Sequence, residues 1–544
     1  MKLEQTRAKT MQWWAGVQRI AHSDTISGLI MLGFALAGLL LANIPFTAHI
    51  FETIAETQLG IPGTNIVLPI GHWAQDGLLT IFFLVVGLDL KQELTTGSLA
   101  NPRAAAVPMA CAVGGMAVPP VLFIIVTATF SLFGIGAGVA GYEAVATGQV
   151  HAFQEIAQGW AVPTATDIAF SLTVLALFAK ALPGSIRAFL MTLATVDDLL
   201  AVIVIAVFFS NLNAWYWFVG VIVCALVWSV LVKRRKVPWI LVGIVGILAW
   251  VMMFEAGVHP TLAGVLVGLL TPAREIHGEH SPRAERYKDK LQPFSALLAL
   301  PLFALFATGV HFETVSWTMF ISPVVLGIIV ALVLGKPIGI MITAWISTHV
   351  AGLKLAKGLR VRDLFPAACA CGIGFTVSFL IATLAYKDPE LSAEARFGVL
   401  VASLLAAAIS GVLLHRQSQR FALAAADREL DDAIRQAAGD DNIDVEEVLA
   451  DGSVTINMEA LSPLAVARYH ARHPQAQQAE HSIQQSNDDA ESQSNSADVD
   501  TVHGTSQNIQ RNVTTRKFWK RKRALGRQVS EEELRRRRRK YRHQ

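Results

Sequence analysis

Four ionisable residues lie inside apolar stretches, where a charge is costly. Asp197 and Asp198 are adjacent, Asp167 follows Pro163 closely, and Lys336 interrupts a long apolar run. A charged side chain in the core of a bilayer usually marks an ion pathway. Adjacent positions on a helix point about 100° apart. One aspartate can therefore face a water-filled cavity while the other faces a neighbouring helix.

The chemistry that this group favours is exchange of a proton for a metal cation. Two adjacent carboxyl groups in a low dielectric resist being ionised together, so one of them can take up and release a proton. Carboxylate oxygens are hard ligands that suit sodium or lithium, and a buried lysine would neutralise one aspartate. A static salt bridge also explains a single Asp–Lys pair, but it explains three aspartates less well.

Two predicted helices contain residues that break a helix. Pro163 with Thr164 and Thr166 interrupts one, and Cys371-Gly-Ile-Gly-Phe-Thr376 interrupts the other. Unwound backbone at membrane depth is tolerated where it is buried in protein or lines a cavity, and paired broken helices indicate a transporter binding site. The ends of half-helices carry partial charges. We expect Asp167 to compensate their N-termini and Lys336 their C-termini.

The elements that must hold these residues are membrane-spanning helices. The chain has 544 residues, of which 53% are hydrophobic and only 16% charged, whereas soluble domains carry about a quarter charged residues. Apolar stretches long enough to cross a bilayer recur about twelve times, which predicts an all-α membrane protein with discontinuous fourth and eleventh spans. We place the spans at 25–44, 69–90, 105–130, 161–180, 185–210, 214–232, 237–256, 258–272, 293–312, 321–347, 364–386 and 395–415.

Alternate connections between these spans are basic, beginning with the N-terminus. Basic loops stay in the cytoplasm, so both termini are expected there, which requires an even number of spans. Lys387 and Arg396 are the exceptions in the outer loops. The basic N-terminus and the apolar run at 27–44 fit a retained first span better than a signal peptide. The predicted location is a bacterial inner membrane.

Four regions follow from this division. Residues 1–24 form a cytoplasmic N-terminus, 25–415 the transmembrane domain, 416–473 an acidic extension with short helices, and 474–544 a disordered tail with a basic end. Such a tail is attracted to anionic lipid headgroups; a solvated tail is an equal alternative, and nucleic-acid binding is a weaker one. Cys369 and Cys371 fit buried apolar positions better than a metal site, because a second pair is missing.

Several motifs resemble the NhaA family of sodium/proton antiporters, in the same order over most of residues 20–415. They are Phe82–Leu94, the break at Pro163–Asp167, Val196-Asp-Asp-Leu199, Gly257–Gly264, Gly335-Lys-Pro-Ile-Gly339 and Cys371–Ser378. The resemblance implies inverted repeats and pH-regulated, electrogenic extrusion of sodium or lithium in exchange for protons. It implies no cofactor and no enzymatic activity, and it suggests a homodimer formed through residues 45–68.

The resemblance also implies roles for individual residues. Asp198 is the main cation ligand and proton carrier, and Asp197 alternates between a salt bridge to Lys336 and transport. Thr166 and Asp167 belong to the crossing of the unwound chains. Positions implicated in the response to pH or in the cytoplasmic funnel are Asp76, Asp89, Glu93, His259, Glu275 and His277. A structural role for His259, and contact of Asp76 with a polar neighbour, are equal alternatives.

This chain departs from the family pattern after the second span. Asp89 and Gln92 stand where the family usually has a glutamate and an arginine, and the loop after the eighth span is rearranged. These are positions where the family senses pH, so the pH set point of this chain is left open.

Other classes of protein fit the sequence less well. A symporter of organic anions would bind its substrate against the repulsion of Asp197 and Asp198. A proton-linked channel does not need two broken helices. An intramembrane aspartyl protease places its two aspartates on separate helices, since adjacent ones cannot flank a peptide bond. A membrane anchor for the tail would need no buried charges.

Overall fold

The computed structural model describes residues 23–60, 66–133, 153–210, 214–309, 317–355, 358–438 and 461–472, with positions 16, 18, 20 and 21. These ranges are helical apart from one short antiparallel hairpin and the connecting segments. The hairpin pairs β1 (Gln58–Gly60) with β2 (Val67–Pro69). Its turn, and the predicted tail beyond residue 472, lie outside the described residues.

The helices of the first half of the chain are α1 (Asp24–Asn43), α2 (Pro45–Glu56), α3 (Ile70–Thr95), α4 (Pro102–Phe133), α5 (Phe153–Thr164), α6 (Ile168–Phe178), α7 (Gly184–Phe208) and α8 (Trp215–Lys233). Those of the second half are α9 (Trp239–Glu255), α10 (Thr261–Leu270), α11 (Arg283–Ala307), α12 (Pro323–His349), α13 (Val361–Ala370), α14 (Phe375–Ala385), α15 (Pro389–Ala438) and α16 (Pro463–Arg472). Two 3-10 turns, Ser98–Ala100 and Trp317–Ile321, lie between them.

The twelve predicted spans all have a helical counterpart among the described residues. Eight helices are long and apolar enough to cross a membrane by themselves. Two further spans are bent pairs, α5 with α6 at 50° and α13 with α14 at 59°. The shorter apolar helices α9 and α10 make up the remainder, and Gly257, whose φ is 76°, begins the turn between them.

Three observed helices extend furthest beyond the predicted boundaries. The fourth span begins at Phe153, eight residues before the predicted start at 161, because the polar residues of α5 hide its helical character. The ninth begins at Arg283 with two charged turns. The twelfth continues to Ala438, because residues 416–438 are rich in alanine and leucine, which favour a helix even where charges follow.

The basic connections lie together at one end of the bundle, which we call the basic side. The side chain of Ser98, after α3, is bonded to Thr192 at the start of α7. Ser418 on α15 accepts a hydrogen bond from the backbone N–H of Ala181, and the adjacent Gln417 donates to the carbonyl of Asp363. The hairpin lies at the opposite end, where Trp73 donates to the carbonyl of Leu59.

Small residues let the central helices approach closely. A Cβ at Gly339 on α12 would collide with the carbonyl of Gly114 on α4. A Cβ at Gly264 on α10 would lie 2.5 Å from the carbonyl oxygen of Thr80 on α3. Such contacts fix the helices that carry the buried charges, because van der Waals packing at small residues drives association of helices within lipid.

The chain divides into two units, Met1–Asp431 and Asp432–Gln544. The first contains all twelve spans and the candidate site. In the second, α16 is described by itself as a ten-residue helix.

Candidate functional site

The adjacent aspartates of α7 lie in different surroundings, as expected from their angular separation. Asp197 is 1% exposed, and its Oδ2 accepts a hydrogen bond from Lys336 Nζ on α12 at 2.8 Å. Its other oxygen, Oδ1, is buried and has no hydrogen-bond partner among the described residues. This carboxylate is neutralised by the ammonium group while it keeps one oxygen able to bind a cation or a proton.

Asp198 instead faces a cavity. It is 8% exposed, and it lines the cavity together with Thr195 and Met191 from the preceding turns of α7. Positions three and seven residues apart share one face of a helix, so this face of α7 is open to the cavity and the face bearing Asp197 is not.

Lys336 is positioned by an irregular turn within α12. Residues Ala331–Gly335 form a π-helical turn directly before it, and the α-helix resumes at Lys336. Such single-turn bulges occur frequently at functional sites. The close approach of Gly339 to Gly114 on α4 holds the next turn. The π-helical turn and the close packing of α12 against α4 therefore position Lys336 towards α7.

The two broken helices cross at their unwound segments. The backbone N–H of Asp167 donates to the carbonyl of Ile373 at 2.7 Å, and the hydroxyl of Thr166 donates to the carbonyl of Cys371 at 2.8 Å. The hydroxyl of Ser171 donates to the carbonyl of Ala370, also at 2.8 Å. The breaks predicted from Pro163 and from the Cys371–Thr376 segment therefore meet in space.

Asp167 compensates the N-termini of two half-helices. Its Oδ1 accepts from the N–H of Phe170 in the first turn of α6 at 3.0 Å. Its Oδ2 accepts from the N–H of Thr376 at 3.2 Å and from its hydroxyl at 2.8 Å, in the first turn of α14. A negative charge at these ends complements the helix dipoles.

Lys336 donates its hydrogen bond to Asp197 and, among the described residues, none to the carbonyl ends of the broken helices. The carbonyls that end α13 accept hydrogen bonds from Ser171 and Thr166 instead, and Lys336 donates to Asp197. A hydroxyl suffices at these carbonyls, whereas a buried carboxylate requires a cation. The hydrogen bond of the lysine therefore goes to a carboxylate, and compensation of the helix end by its charge stays a prediction.

A cavity of about 300 Å³ connects these elements to the basic side. Its polar lining residues are Ser27, Asp89, Thr166, Asp167, Thr195, Asp198, Lys288, Gln292, Ser295 and Thr376. The lining includes part of a second π-helical turn, Ser295–Ala299 in α11. The cavity brings together Asp198, the crossing, and two helices that end on the basic side.

The pH-response candidates on α3 lie at or near the basic end of the cavity. Asp89 Oδ1 lies 2.5 Å from Lys288 Nζ, and both residues line the cavity. Glu93, one turn further on, accepts hydrogen bonds from the backbone and hydroxyl of Ser98 at 2.8 Å. Of the two, Asp89 alone is part of the cavity lining.

Asp76 and His259 lie elsewhere and contact each other. His259 Nε2 is 3.3 Å from Asp76 Oδ1, and its Nδ1 is 2.6 Å from the hydroxyl of Thr261. Asp76 lies in a π-helical turn, Trp73–Leu78, near the end of α3 remote from Asp89. It is absent from the cavity lining. Of the two expectations for Asp76, the structure shows contact with a polar neighbour and not a place in the funnel.

The last two candidates lie on the loop between α10 and α11. Glu275 is exposed. His277 has a positive φ of 56°, and its Nε2 is 2.7 Å from the carbonyl oxygen of Lys233. The structure therefore ties His277 to the end of α8 and brings neither residue to the cavity.

A charged cluster in the same loop was not singled out from the sequence. Arg283 is 1% exposed and donates to Glu279 and to the carbonyls of Val232 and Arg234. Arg286 also contacts Glu279. The hydrogen bond from Arg283 holds the pKa of Glu279 below its ordinary value of 4.5. The spacing of Glu279 and Arg283, four residues apart, is the signal that could have revealed this pair.

Lys288, Gln292, Ser171 and Thr376 were also missed as site residues. Lys288 was counted only as part of a basic loop, and Thr376 only as part of a helix break. Four-residue spacing from Lys288 would have placed Gln292 on the same face of α11. The cavity that makes this face important depends on how α11 packs against α3.

These features define the class of the protein. Two broken helices that cross beside buried ionisable residues, at the end of a cavity within a helical bundle, are the architecture of a secondary transporter.

Comparison with known proteins gives the family. The sequence profile of the Na+/H+ antiporter 1 family matches residues 18–149 and 132–414. The chain belongs to this family, which confirms the resemblance and, at the level of the family, the expected sodium/proton antiport. It is a multi-pass bacterial membrane protein.

The chain is similar to curated relatives over most of their length. The chain is 75% identical over 414 residues to "Na(+)/H(+) antiporter NhaA" of Bifidobacterium breve, covering 76% of this chain and 89% of the relative. It is 70% identical over 448 residues to the protein of the same name from Bifidobacterium adolescentis, covering 82% and 96%. A more distant relative, "Na(+)/H(+) antiporter NhaA 3" of Streptomyces coelicolor, is 39% identical over 414 residues, covering 76% and 82%.

Proposed function

We propose that the protein extrudes sodium or lithium in exchange for protons, and that Asp198 binds the cation and the proton in turn. The observation that carries this proposal is the division of the two aspartates. Asp197 is held by Lys336 at 2.8 Å, whereas Asp198 lines the cavity. Of these two carboxylates, the one that lines the cavity is the one that an ion entering the cavity can reach.

Binding at Asp198 has a simple chemical basis. A carboxylate oxygen is a good ligand for a hard cation, and the same oxygen binds a proton, so the two compete for one group. The polar lining of the cavity around Asp198, which includes Thr166 and Thr195, supplies further oxygen atoms. Competition at one site makes the exchange obligatory, since the carboxylate does not hold both ions together.

The crossing of the broken helices supports the site without supplying the exchanging group. Asp167 has three hydrogen bonds from α6 and α14, and Thr166 donates to the opposite chain. These bonds hold the two crossing segments in contact beside the cavity. Thr166 and Asp167 therefore position the half-helices that move when access changes from one side to the other.

The distribution of basic loops gives the orientation of the protein in the membrane. Basic connections remain in the cytoplasm, so the basic side and both termini are assigned to the cytoplasm, and the cavity is the cytoplasmic access path.

Release of Asp197 from Lys336 would add a second titrating carboxyl group. More than one proton would then cross for each sodium ion, and exchange would be electrogenic.

The charge of the cavity disfavours transport of an organic anion. Asp89, Asp167 and Asp198 line the described cavity, against the single ammonium of Lys288. A substrate carboxylate would meet like charges throughout. The lining therefore favours a cation as the transported ion.

The test is sodium-induced collapse of a preformed pH gradient in proteoliposomes, for wild type and Asp198→Asn. We expect collapse with wild type and none with Asp198→Asn, although the variant inserts normally. Asp289→Asn is the matched control, because Asp289 is an exposed aspartate on α11 outside the cavity lining. Wild-type exchange by Asp198→Asn would overturn the assignment of Asp198.

Imposing a membrane potential on the proteoliposomes tests electrogenicity. The rate of an electroneutral exchange would not respond to the potential.

A further inference from the structure

The basic end of the cavity holds an ion pair on the path to Asp198. Asp89 on α3 and Lys288 on α11 both line the cavity, with 2.5 Å between Oδ1 and Nζ. The Asp89 side chain is 44% exposed and that of Lys288 is 29% exposed. The carboxylate is therefore accessible to ions from the basic side before they reach the interior.

An ion pair with this exposure is weak, because water and salt compete for both partners. The ammonium group of Lys288 is a monovalent cation bound to a hard oxygen ligand. A sodium ion has the same charge and prefers the same kind of ligand. Lys288 thus acts as a built-in competitor of sodium at Asp89.

Gln292 supplies a second oxygen one helical turn from Lys288. Residues four apart lie on the same face of a helix, and both line the cavity. The Gln292 Oε1 atom is buried and has no hydrogen-bond partner among the described residues. A buried acceptor without a partner requires an explanation, and a passing cation or its water ligand would satisfy this one.

We propose that Asp89 and the Gln292 amide oxygen form a second, outer sodium site at the mouth of the cavity, whose affinity is set by Lys288. The proposal rests on the proposed function, because Asp198 remains the inner site. An arriving sodium ion displaces the ammonium group from Asp89, contacts Gln292, and passes inwards to Asp198. Lys288 returns to Asp89 when the ion has left.

The first experiment measures the sodium concentration for half-maximal exchange in proteoliposomes. Lys288→Gln should lower it by roughly two- to fivefold, the range that loss of a weak competing pair can produce. The matched control is Lys290→Gln. It removes the same charge two residues away, where the ammonium lies 5.5 Å over the ring of Trp239, outside the cavity lining. An equal shift in both variants would overturn the proposal.

A double variant separates a specific site from a general change of charge. In the Asp89→Asn background, Lys288→Gln should have no further effect on the sodium dependence, because its competitor role acts through Asp89. An undiminished effect in that background would contradict the outer site.

Gln292→Leu tests whether the amide oxygen of Gln292 is the second sodium ligand. The sodium dependence of exchange distinguishes a ligand from a residue that only stabilises the fold. It should raise the half-maximal sodium concentration without lowering the melting temperature, since it removes a buried acceptor that lacks a partner. An unchanged sodium dependence would exclude Gln292 from the site.

A binding experiment distinguishes failure of the proposal for the outer site from failure of the proposal for the inner site. Equilibrium binding of radioactive sodium to purified Asp198→Asn should show weak residual binding that Asp89→Asn abolishes. If Asp198→Asn is inactive and no residual binding is found, the outer site is wrong while the inner site stands. If Asp198→Asn exchanges ions at the wild-type rate, the proposed function is wrong.

Discussion

The ammonium group of Lys336 lies 2.8 Å from Asp197 Oδ2, and each of these side chains is only 1% exposed. Because both groups are buried at this depth, each is tolerated there only while the other is present. Removing both charges from water is costly, and their attraction offsets that cost only while both are present. The pair therefore holds α7 against α12 and keeps Asp197 occupied while Asp198 faces the cavity.

Breaking this pair from one side should destabilise the protein strongly. We expect Lys336→Met to cost about 3–5 kcal/mol, because it leaves the Asp197 carboxylate buried without compensation. The double variant Asp197→Leu/Lys336→Met should recover most of that loss, since no buried charge remains. Melting temperatures in detergent would measure both effects. A single variant that melts like wild type would refute the pairing.

The pH dependence of exchange should also change in Lys336→Met. Without the lysine, the Asp197 carboxylate loses its hydrogen-bond partner, and both of its oxygens become free to bind a proton. We therefore expect the pH profile of exchange to shift relative to wild type. An unchanged profile would show that Asp197 takes no part in proton binding.

Loss of the Asp167 carboxylate should weaken the crossing more than loss of one of its donors. Asp167→Ala removes the acceptor of three hydrogen bonds and the charge between two helix N-termini. Thr376→Val removes only one of these three bonds, the one from the hydroxyl group. Hydrogen bonds to a charged group contribute about 1.5–3 kcal/mol each, so Asp167→Ala should lower the melting temperature further. Equal effects of the two substitutions would contradict the proposed role of the charge.

A contact at the hairpin end of the bundle should show strong non-additivity. The hydroxyl of Tyr386 donates to the carbonyl of Ile156 at 2.7 Å, and a Cβ at Gly159 would collide with that hydroxyl. We expect Gly159→Ala to cost about 1–3 kcal/mol through overpacking, and Tyr386→Phe about 1 kcal/mol.

The double variant should cost somewhat less than the sum of the two, because phenylalanine lacks the hydroxyl that makes the shortest contact with the new methyl group, although two ring carbons at 2.5 and 2.8 Å still crowd it. Tyr216→Phe on α8 is the control, since Tyr216 is an exposed tyrosine remote from this contact in sequence. Simple additivity of the two melting-temperature shifts would indicate that Gly159 and Tyr386 do not act together.

The Glu279–Arg283 pair should make stability depend on acid. The pKa of Glu279 is lowered in the folded state, chiefly by the hydrogen bond from Arg283. A group of this kind stabilises the fold above its unfolded-state pKa, and the contribution is lost as pH falls through the lower folded-state pKa. Glu279→Gln should therefore melt lower than wild type above pH 4.5, with the difference shrinking as the solution is acidified.

The control for that measurement is Glu285→Gln, which removes an exposed carboxylate from the first turn of α11. Its melting temperature should follow that of wild type across the same pH range. A difference between wild type and Glu279→Gln that stays constant on acidification would contradict the role of the ionised carboxylate.

Much of the architecture was predictable because each span is a local property of the chain. About twenty apolar residues suffice to mark a helix within lipid, and the basic loops mark alternate ends. The helix boundaries that the sequence did not predict also have local causes. The polar residues of α5 and the charged first turns of α11 hide helices whose stability depends on packing against their neighbours.

The candidate site was predictable in part. Asp167, Asp197, Asp198 and Lys336 were identified because a charge among apolar residues is rare whatever the fold. The pairing of Asp197 with Lys336 came from the family resemblance. Lys288 and Gln292 were not identified, because neither is unusual in a helix that begins with charged turns.

The sequence by itself determined which residues are buried charges, where the helices break, and on which side of the membrane each loop is expected. These follow from hydropathy, residue spacing and the family motifs, which need no knowledge of long-range contacts. Only the tertiary structure decided that the carboxylate of Asp167 bonds both α6 and α14, and that Asp89 meets Lys288 at the mouth of a cavity. Asp89 and Lys288 lie 199 residues apart in the chain. Their contact depends on how helices pack, which no local pattern of residues specifies.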